Sequence, residues 1–307
     1  MSSSSRLSPG ERRFLVAGVR QDVRADGRRR LERRSLEVQC GLLPQANGSA
    51  RVAVAGGGTE VLAAVRCELA DPDPRAPGRG RVECAVEVWA SARAGAGAGG
   101  ASADAAAAAN AELSAAVARQ VCARGAVDLE RLCVLRGRQA WSVFVDLVVV
   151  EAGGALLDAC CLAAHAALRD ARLPRLRLVP GEAAGEFDVE LDDNPLASEP
   201  FPAGDLPVSV AFSLVGGLNV VDADVAEEAC ASARTVVAVN RRGRVCAIES
   251  SGPGGTAPAA LHAAAEAAKA LAEDLFARVD RAIAERDAES GGGGKPAAVV
   301  LGGGGAR

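Results

Sequence analysis

Apolar and polar residues alternate with a period of two in several short segments near the start of the chain. The segment RVECAVEV (81–88) is the clearest example, since its even positions carry Val or Cys and its odd positions include Glu83 and Glu87. This alternation is typical of a half-buried antiparallel strand. Segments 49–57 and 59–69 are also rich in strand-forming residues. The pattern predicts a group of strands after an N-terminal helix and an Arg-rich loop within 9–38.

The next part of the chain contains segments with the periodicity of a helix and a longer apolar run. Residues 92–110 are of low complexity, and we expect a flexible loop that leads into an Ala-rich helix running to about Ala123. Segment 140–154 has the apolar pattern of a buried strand, and two glycines mark the end of that strand. Residues 155–173 have the apolar face of a helix, and 174–181 returns as a strand.

A second group of elements repeats this order towards the end of the chain. The pattern predicts a hairpin over 206–224, a short helix over 225–233, and a second hairpin over 234–250 that turns at Arg242–Gly243. Segment 257–287 is a long helix with an apolar stripe along one side. The order of strands and helices indicates an α/β or α+β chain with two similar halves.

The composition excludes several classes of protein. The chain has 307 residues, of which 49% are hydrophobic and 24% charged, so it is not wholly disordered. Its apolar runs are too short for a transmembrane helix, and we expect no association with a membrane. The net charge of −4 argues against a chain that binds nucleic acid unaided. Because Lys269 and Lys295 are the only lysines, the abundance of Arg indicates codon usage in a GC-rich genome.

Cysteine and histidine offer little chemistry. The nine cysteines form no CxxC pair and lie mostly in apolar patterns, so we expect buried thiols in a reducing compartment and no metal site. His165 lies in a helical pattern, where a packed or half-exposed side chain is the simpler interpretation than a catalytic one. The N-terminus has no apolar core of signal-peptide length, so we expect a protein that is not secreted.

Residues 18–38, GVRQDVRADGRRRLERRSLEV, resemble the N-terminal signature of the ribonuclease PH family, in which RxDGR precedes a further Arg and the first strand. The residues that match are Arg24, Asp26, Gly27, Arg28 and Arg34. Other segments match in order and spacing between residues 10 and 285, namely 47–52, 141–154, 155–159, 173–178 and 220–229. Their order along nearly the whole chain makes the resemblance strong.

The resemblance implies the α+β fold of that family, with two similar βα halves whose mixed sheets pack against helices. We expect the N-terminal half in residues 1–190, including a low-complexity loop over 92–106. The C-terminal half is expected in 191–287, and 288–307 is expected to be a disordered Gly-rich tail.

The chemistry that the resemblance implies is phosphorolysis of RNA from its 3′ end. In catalytic members Thr-Arg follows the two glycines and binds phosphate, but here Ala155 and Leu156 follow them. Asp222, Asp224 and Glu228 stand at the family's acidic positions. Without the phosphate-binding Arg, the favoured interpretation is that Asp222 and Glu228 cap or flank the helix over 225–233. We therefore expect no catalytic residue, no metal and no cofactor.

The role that the resemblance implies is architectural. The chain is similar to non-catalytic ring subunits of the eukaryotic RNA exosome, which form a six-membered ring with homologous subunits. RNA-binding cap subunits lie on such a ring, and RNA passes through its channel to a separate nuclease. The location implied is the nucleus, including the nucleolus, and the cytoplasm. An active phosphate-dependent 3′–5′ exoribonuclease is the alternative, and an unrelated binding module is a third hypothesis.

Two arginines are candidates for contacts with RNA in that role. Arg119 and Arg124 lie on the predicted helix ELSAAVARQVCARG (112–125) and match basic positions of similar ring subunits. The competing interpretation is a solvated helix face. Phosphate contacts at these residues would be independent of RNA sequence and sensitive to salt.

Overall fold

The computed structural model describes residues 7–56, 58–95, 102–123, 125–180, 187–192, 194 and 197–289. Its helices and strands in chain order are α1 (Pro9–Arg20), β1 (Leu36–Cys40), β2 (Gly48–Val54), β3 (Glu60–Ala70), β4 (Arg81–Val88), α2 (Ala90–Gly95), α3 (Ala103–Val121), β5 (Cys133–Leu135), β6 (Gln139–Glu151), α4 (Leu156–Asp170), β7 (Arg172–Pro174), β8 (Leu176–Pro180), β9 (Phe187–Leu191), β10 (Ser198–Pro200), β11 (Val208–Val215), β12 (Leu218–Val221), α5 (Val225–Cys230), β13 (Ala233–Val239), β14 (Val245–Ser251) and α6 (Pro258–Glu289).

The first sheet has the strand order β1-β2-β3-β6-β4, and β5 pairs with β6 outside this path. Strand β4 runs parallel to β6, whereas the other pairs are antiparallel, so the sheet is mixed. Along β6 the odd-numbered residues Val143, Val145, Leu147 and Val149 are fully buried, and Asp146 is exposed. This alternation turns one face of the sheet towards the core.

Helix α4 links the two halves of the molecule. Thirteen of its fifteen residues are buried, because it packs against β2 and β3 of the first sheet and against β11 of the second. The second sheet is antiparallel, with the order β12-β11-β13-β14. All eight residues of β11 are buried, and the long helix α6 packs against β11 and β13. One main hydrophobic core therefore spans both halves.

Most predicted elements are confirmed, and the α+β class with mixed sheets and helices is correct. The predicted loop over 92–106 is wrong at both ends. Helix α2 extends to Gly95, and α3 begins at Ala103 after Ser102, whose hydroxyl accepts a hydrogen bond from the backbone of Ala105. Residues 96–101 lie outside the described residues, as does the predicted tail from residue 290 onwards.

The described residues lack a membrane-spanning helix and a metal-binding cluster. No helix in that part of the chain is long and apolar enough to cross a membrane. The same residues contain no group of three or more His, Cys, Asp or Glu side chains arranged to hold a metal ion. None of the nine cysteines, all of which lie in the described ranges, forms a disulfide bond.

Candidate functional site

The loop between α1 and β1 carries the RxDGR motif and packs against the start of α5. Arg24 is only 4% exposed, although it is an arginine. Its Nε donates to Glu227 Oε1 at 2.8 Å, and a second, very short contact joins its Nη2 to Glu227 Oε2. The guanidinium also donates to the backbone carbonyls of Val221 and Asp222, at 3.0 and 2.9 Å. The buried charge is thus paired and hydrogen-bonded on all sides, as burial requires.

The remaining residues of the motif form a turn. The backbone N–H of Arg24 donates to the carbonyl of Arg28, and Gly27 has a φ of +85°, which favours glycine. The Asp26 carboxylate accepts from the backbone N–H and from Nε of Arg28, at 3.1 and 2.6 Å. In this structure the motif therefore holds its arginines in place against α5.

The carboxylate of Asp222 binds Arg28 and Arg34, two of the arginines that match the family signature. Asp222 is 3% exposed and has a φ of +49°, a strained conformation for a residue other than glycine. Its carboxylate accepts from the backbone N–H of Arg34 at 2.7 Å, from Arg34 Nη2 at 2.6 Å and from Arg28 Nη1 at 3.1 Å. Burial alone raises the pKa of Asp222, but hydrogen bonds and charge attraction from Arg34 outweigh burial and lower it.

Asp224 has a structural role at the start of α5. It is the N-cap residue, and its carboxylate accepts from the backbone N–H of Glu227 at 2.7 Å. The Glu227 carboxylate in turn accepts from the backbone N–H of Asp224 at 3.0 Å, which completes a capping box. The N-cap is therefore Asp224, whereas the sequence prediction gave the role of capping or flanking this helix to Asp222 and Glu228.

Glu228 connects α5 to α4. Its Oε1 accepts from the backbone N–H of Ala155 at 3.0 Å and from Arg234 Nη2 at 2.6 Å. Ala155 precedes α4 with a φ of +51° and no side-chain cap. Gly154 before it has a φ of +96°, and a Cβ there would lie 2.4 Å from the carbonyl oxygen of Ala223. The segment after β6 is therefore pressed against α5.

A surface cavity of about 600 Å³ lies beside this segment. Its lining includes Arg34, Trp89, Glu151, Gly153 and Asp224. Among the described residues of the lining, Arg34 is the only cation, and its guanidinium already bonds Asp222 and the carbonyl of Gly153. Two carboxylates in the same lining disfavour a phosphate dianion.

Three other arginines lie outside the cavity lining, of which Arg93 and Arg119 bind other parts of the protein and Arg124 is not among the described residues. Arg93 on α2 donates to the carbonyls of Val88 and Ala106, so it joins α2 to α3. Arg119 lies in the last turn of α3, has a side chain that is 54% exposed, and pairs with Glu249 of β14 at 2.7 Å. Arg124 lies outside the described residues, so its predicted role stays a prediction.

Sequence reasoning missed the most buried pair of this site, Arg24 with Glu227. A signal was present, because Asp224 and Glu227 have the spacing of a capping box and place a glutamate at the third helical position. The sequence also does not indicate the role of Arg33, whose guanidinium lies 3.4 Å from the carboxylate of buried Asp158. Burial raises the pKa of that carboxyl.

Comparison with known proteins identifies the class of this fold. The two domain models of the 3′ exoribonuclease family match residues 32–174 (domain 1) and 205–270 (domain 2). The chain belongs to this family, the ribonuclease PH family, as its N-terminal signature predicts.

Within this family, the chain is similar to one group of exosome components. The chain is 30% identical over 248 residues to the exosome complex component Rrp42 of Methanocella arvoryzae, covering 81% of this chain and 87% of the relative. It is 31% identical over 239 residues to the component of the same name from Methanopyrus kandleri, covering 78% and 84%. The motifs VDLERLCV (127–134) and GGALLDA (153–159) favour the same group, ribosomal-RNA-processing protein forty-two, also called exosome component seven.

A solved structure supports the same assignment. The chain matches a subunit in the Archaeoglobus fulgidus exosome with RNA bound to the active site, with a TM-score of 0.71 and 27% identity. The match covers 87% of this chain and 96% of that chain. The predicted fold is therefore confirmed over nearly the whole length of the solved subunit.

Proposed function

We propose that this chain is a non-catalytic subunit of an exosome core ring. The observation that carries the proposal is the contact between Glu228 and the backbone N–H of Ala155. The N-terminus of a helix attracts anions, because its first N–H groups are unpaired and its dipole is positive there. Here the chain's own carboxylate occupies that end of α4, and neither Ala155 nor Leu156 has a side chain that can bind phosphate.

The cavity beside α4 supports the same proposal. A phosphorolytic site must stabilise the negative charge of inorganic phosphate and of the transition state with cations and hydrogen-bond donors. Arg34 lines the cavity, but Asp222 neutralises it with contacts of 2.6 and 2.9 Å. Glu151 and Asp224 add negative charge to the lining. This arrangement repels the co-substrate that phosphorolysis needs.

The proposed partners follow from the likeness to exosome components. We expect homologous ribonuclease PH-like subunits in a hexameric ring, RNA-binding cap subunits, a separate catalytic nuclease, and RNA in the channel. The processes proposed are RNA processing and decay, including maturation of ribosomal RNA and turnover of messenger RNA. The proposed location is the nucleus, with the nucleolus, and the cytoplasm.

Two assays test this function. Purification of the native complex should yield several homologous ring proteins in equal amounts, and a chain that stays a monomer without such partners would contradict the proposal. Incubation of the purified chain with tailed RNA and inorganic phosphate should release no nucleoside diphosphates. Release of these products would support the alternative, an active phosphate-dependent 3′–5′ exoribonuclease.

The proposed contact with RNA has its own test. Exchange of Arg119 and Arg124 for Glu should weaken crosslinking of the assembled core to RNA, because it reverses the charge at both proposed phosphate contacts. Unchanged crosslinking would remove both residues from the proposed RNA path.

A further inference from the structure

The carboxylate of Glu249 lies against the proposed RNA contact. Glu249 belongs to β14, the edge strand of the second sheet, and Arg119 belongs to α3 of the N-terminal half. Arg119 Nη2 donates to Glu249 Oε1 at 2.7 Å, and Arg119 Nε donates to Oε2 at 3.3 Å. Each donor bonds a different carboxylate oxygen, which is the geometry in which a guanidinium also binds a phosphate.

The exposure of the pair leaves it open to exchange. The side chain of Arg119 is 54% exposed and that of Glu249 is 35% exposed. Ion pairs at such sites contribute little to stability, because water and salt screen them. A phosphate group that reaches the same guanidinium can therefore displace the carboxylate.

A third residue keeps the carboxylate in place. Gln120 is 1% exposed, and its Nε2 donates to Glu249 Oε2 at 3.1 Å. Its Oε1 is buried and has no hydrogen-bond partner among the described residues. Because Gln120 is fixed in the core, it holds Glu249 at this position when Arg119 turns towards solvent. The contact with Arg119 lowers the pKa of Glu249, so the carboxylate is ionised at neutral pH.

We propose that Glu249 competes with RNA phosphate for Arg119 and so sets the affinity of this subunit for RNA. The inference rests on the proposed function, since it concerns the same contact. In the free protein Arg119 is neutralised by Glu249, and RNA binding exchanges that carboxylate for a phosphate. The arginine thus contributes to RNA binding only the difference between the two contacts.

A substitution that removes the charge of Glu249 tests the exchange of carboxylate for phosphate at Arg119. Glu249→Gln keeps the length of the side chain and removes its charge, so Arg119 is freed for phosphate. Anisotropy of a labelled oligoadenylate RNA on the assembled core, at fixed low salt, should give a dissociation constant about two- to five-fold lower than wild type. Arg119→Ala should raise the dissociation constant.

A matched control separates this effect from net charge. Glu130→Gln makes the same change in charge at another exposed ion pair, in which Arg79 lies 3.1 Å from Glu130. The control should leave RNA binding nearly unchanged. In the double variant Arg119→Ala with Glu249→Gln, the gain from Glu249→Gln should disappear, because the guanidinium for which the carboxylate and the phosphate compete is absent.

The outcomes distinguish the inference from the proposed function. If Arg119→Ala weakens RNA binding but Glu249→Gln behaves like Glu130→Gln, the competition is wrong and the RNA contact stands. A gain from Glu249→Gln that persists without Arg119 also overturns the inference. If Arg119→Ala binds RNA as tightly as wild type does, both the competition and the proposed contact at Arg119 are wrong.

Discussion

Glu228 and Ala155 are joined by a hydrogen bond of 3.0 Å, in which the backbone N–H of Ala155 donates to the carboxylate. Arg234 pairs with the same carboxylate at 2.6 Å. A family acidic position and the segment that binds phosphate in catalytic relatives thus meet in one structural contact. The acid contributes to cohesion between α5 and α4.

Removal of Glu228 should uncover a weak anion site. In Glu228→Ala the N–H of Ala155 and the guanidinium of Arg234 lose their shared partner, so we expect a loss of about 1–3 kcal/mol in the free energy of unfolding. Millimolar inorganic phosphate should recover part of this loss, because it binds the folded state at the freed donors. Thermal unfolding with and without phosphate measures both effects.

The control for this experiment is the wild type under the same conditions. Its melting temperature should respond equally to phosphate and to chloride of the same ionic strength. A Glu228→Ala protein that shows no preference for phosphate over chloride would contradict the interpretation that the carboxylate occupies an anion position.

Loss of Arg24 should be among the most damaging substitutions in the N-terminal loop. Arg24→Met keeps much of the side-chain volume but leaves the Glu227 carboxylate, which is 1% exposed, without its cation. Breaking a buried pair from one side costs about 3–5 kcal/mol. Urea denaturation measures the change. Arg79→Met, at an exposed pair, is the matched control and should cost less than about 1 kcal/mol. Equal losses for the two variants would refute the prediction.

Gly154 should tolerate no side chain. Gly154→Ala combines a φ of +96° with a Cβ only 2.4 Å from the carbonyl oxygen of Ala223. Gly137→Ala is the control, because its φ is +78° and nothing lies within 4 Å of the added Cβ. We expect a loss of about 1 kcal/mol for the control and about 2–4 kcal/mol for Gly154→Ala. The difference between them, measured by chemical denaturation, isolates the steric contact with α5.

His165 should make the fold sensitive to mild acid. Burial lowers the pKa of His165 from 6.5 to about 4, while its Nδ1 lies 3.0 Å from the carbonyl of Pro207. The unfolded chain therefore takes up a proton between these two pH values and the folded chain does not. The stabilisation is complete above pH 6.5 and falls by about 3 kcal/mol as the pH drops to about 4.

Substitution of His165 distinguishes its contribution to the pH dependence from that of carboxylates that titrate in the same pH range. His165→Gln should flatten the decline of unfolding free energy between pH 6.5 and pH 4, whatever its effect on stability at neutral pH. His262→Gln, at an exposed position on α6, should leave the decline as it is in wild type. A His165→Gln protein with the same pH profile as wild type would refute the prediction.

The sequence predicts the elements whose pattern is local. The alternation in 81–88 predicts β4, and the apolar stripe in 257–287 predicts α6, because each pattern reflects burial of one face. The strand predicted over 174–181 corresponds to β8, but the sequence does not predict β7, β9 or β10, since strands of three to five residues depend on a distant partner. The predicted loop extends to residue 106, although α3 begins at Ala103. An alanine-rich segment has no apolar periodicity that would mark the first turn of the helix.

The candidate site was predictable in its residues but not in its contacts. The family signature identifies Arg24, Arg28 and Arg34, yet it cannot tell that Arg34 is bound to Asp222 or that Arg24 is buried against Glu227. These contacts bring together residues far apart in the chain, so no local pattern records them. On the acidic side, the resemblance identifies Asp222, Asp224 and Glu228, and the capping-box spacing of Asp224 and Glu227 adds a local signal.

The separation of Arg24 and Glu227 along the chain has a consequence for biosynthesis. The two residues are 203 positions apart, so the arginine leaves the ribosome long before its partner is made. Because chains are synthesised from the N-terminus, the first loop has to wait for the whole N-terminal half and for the start of the C-terminal half. A prematurely terminated chain keeps this arginine-rich loop loose and open to proteases. Closure of the loop thus reports that translation has reached α5.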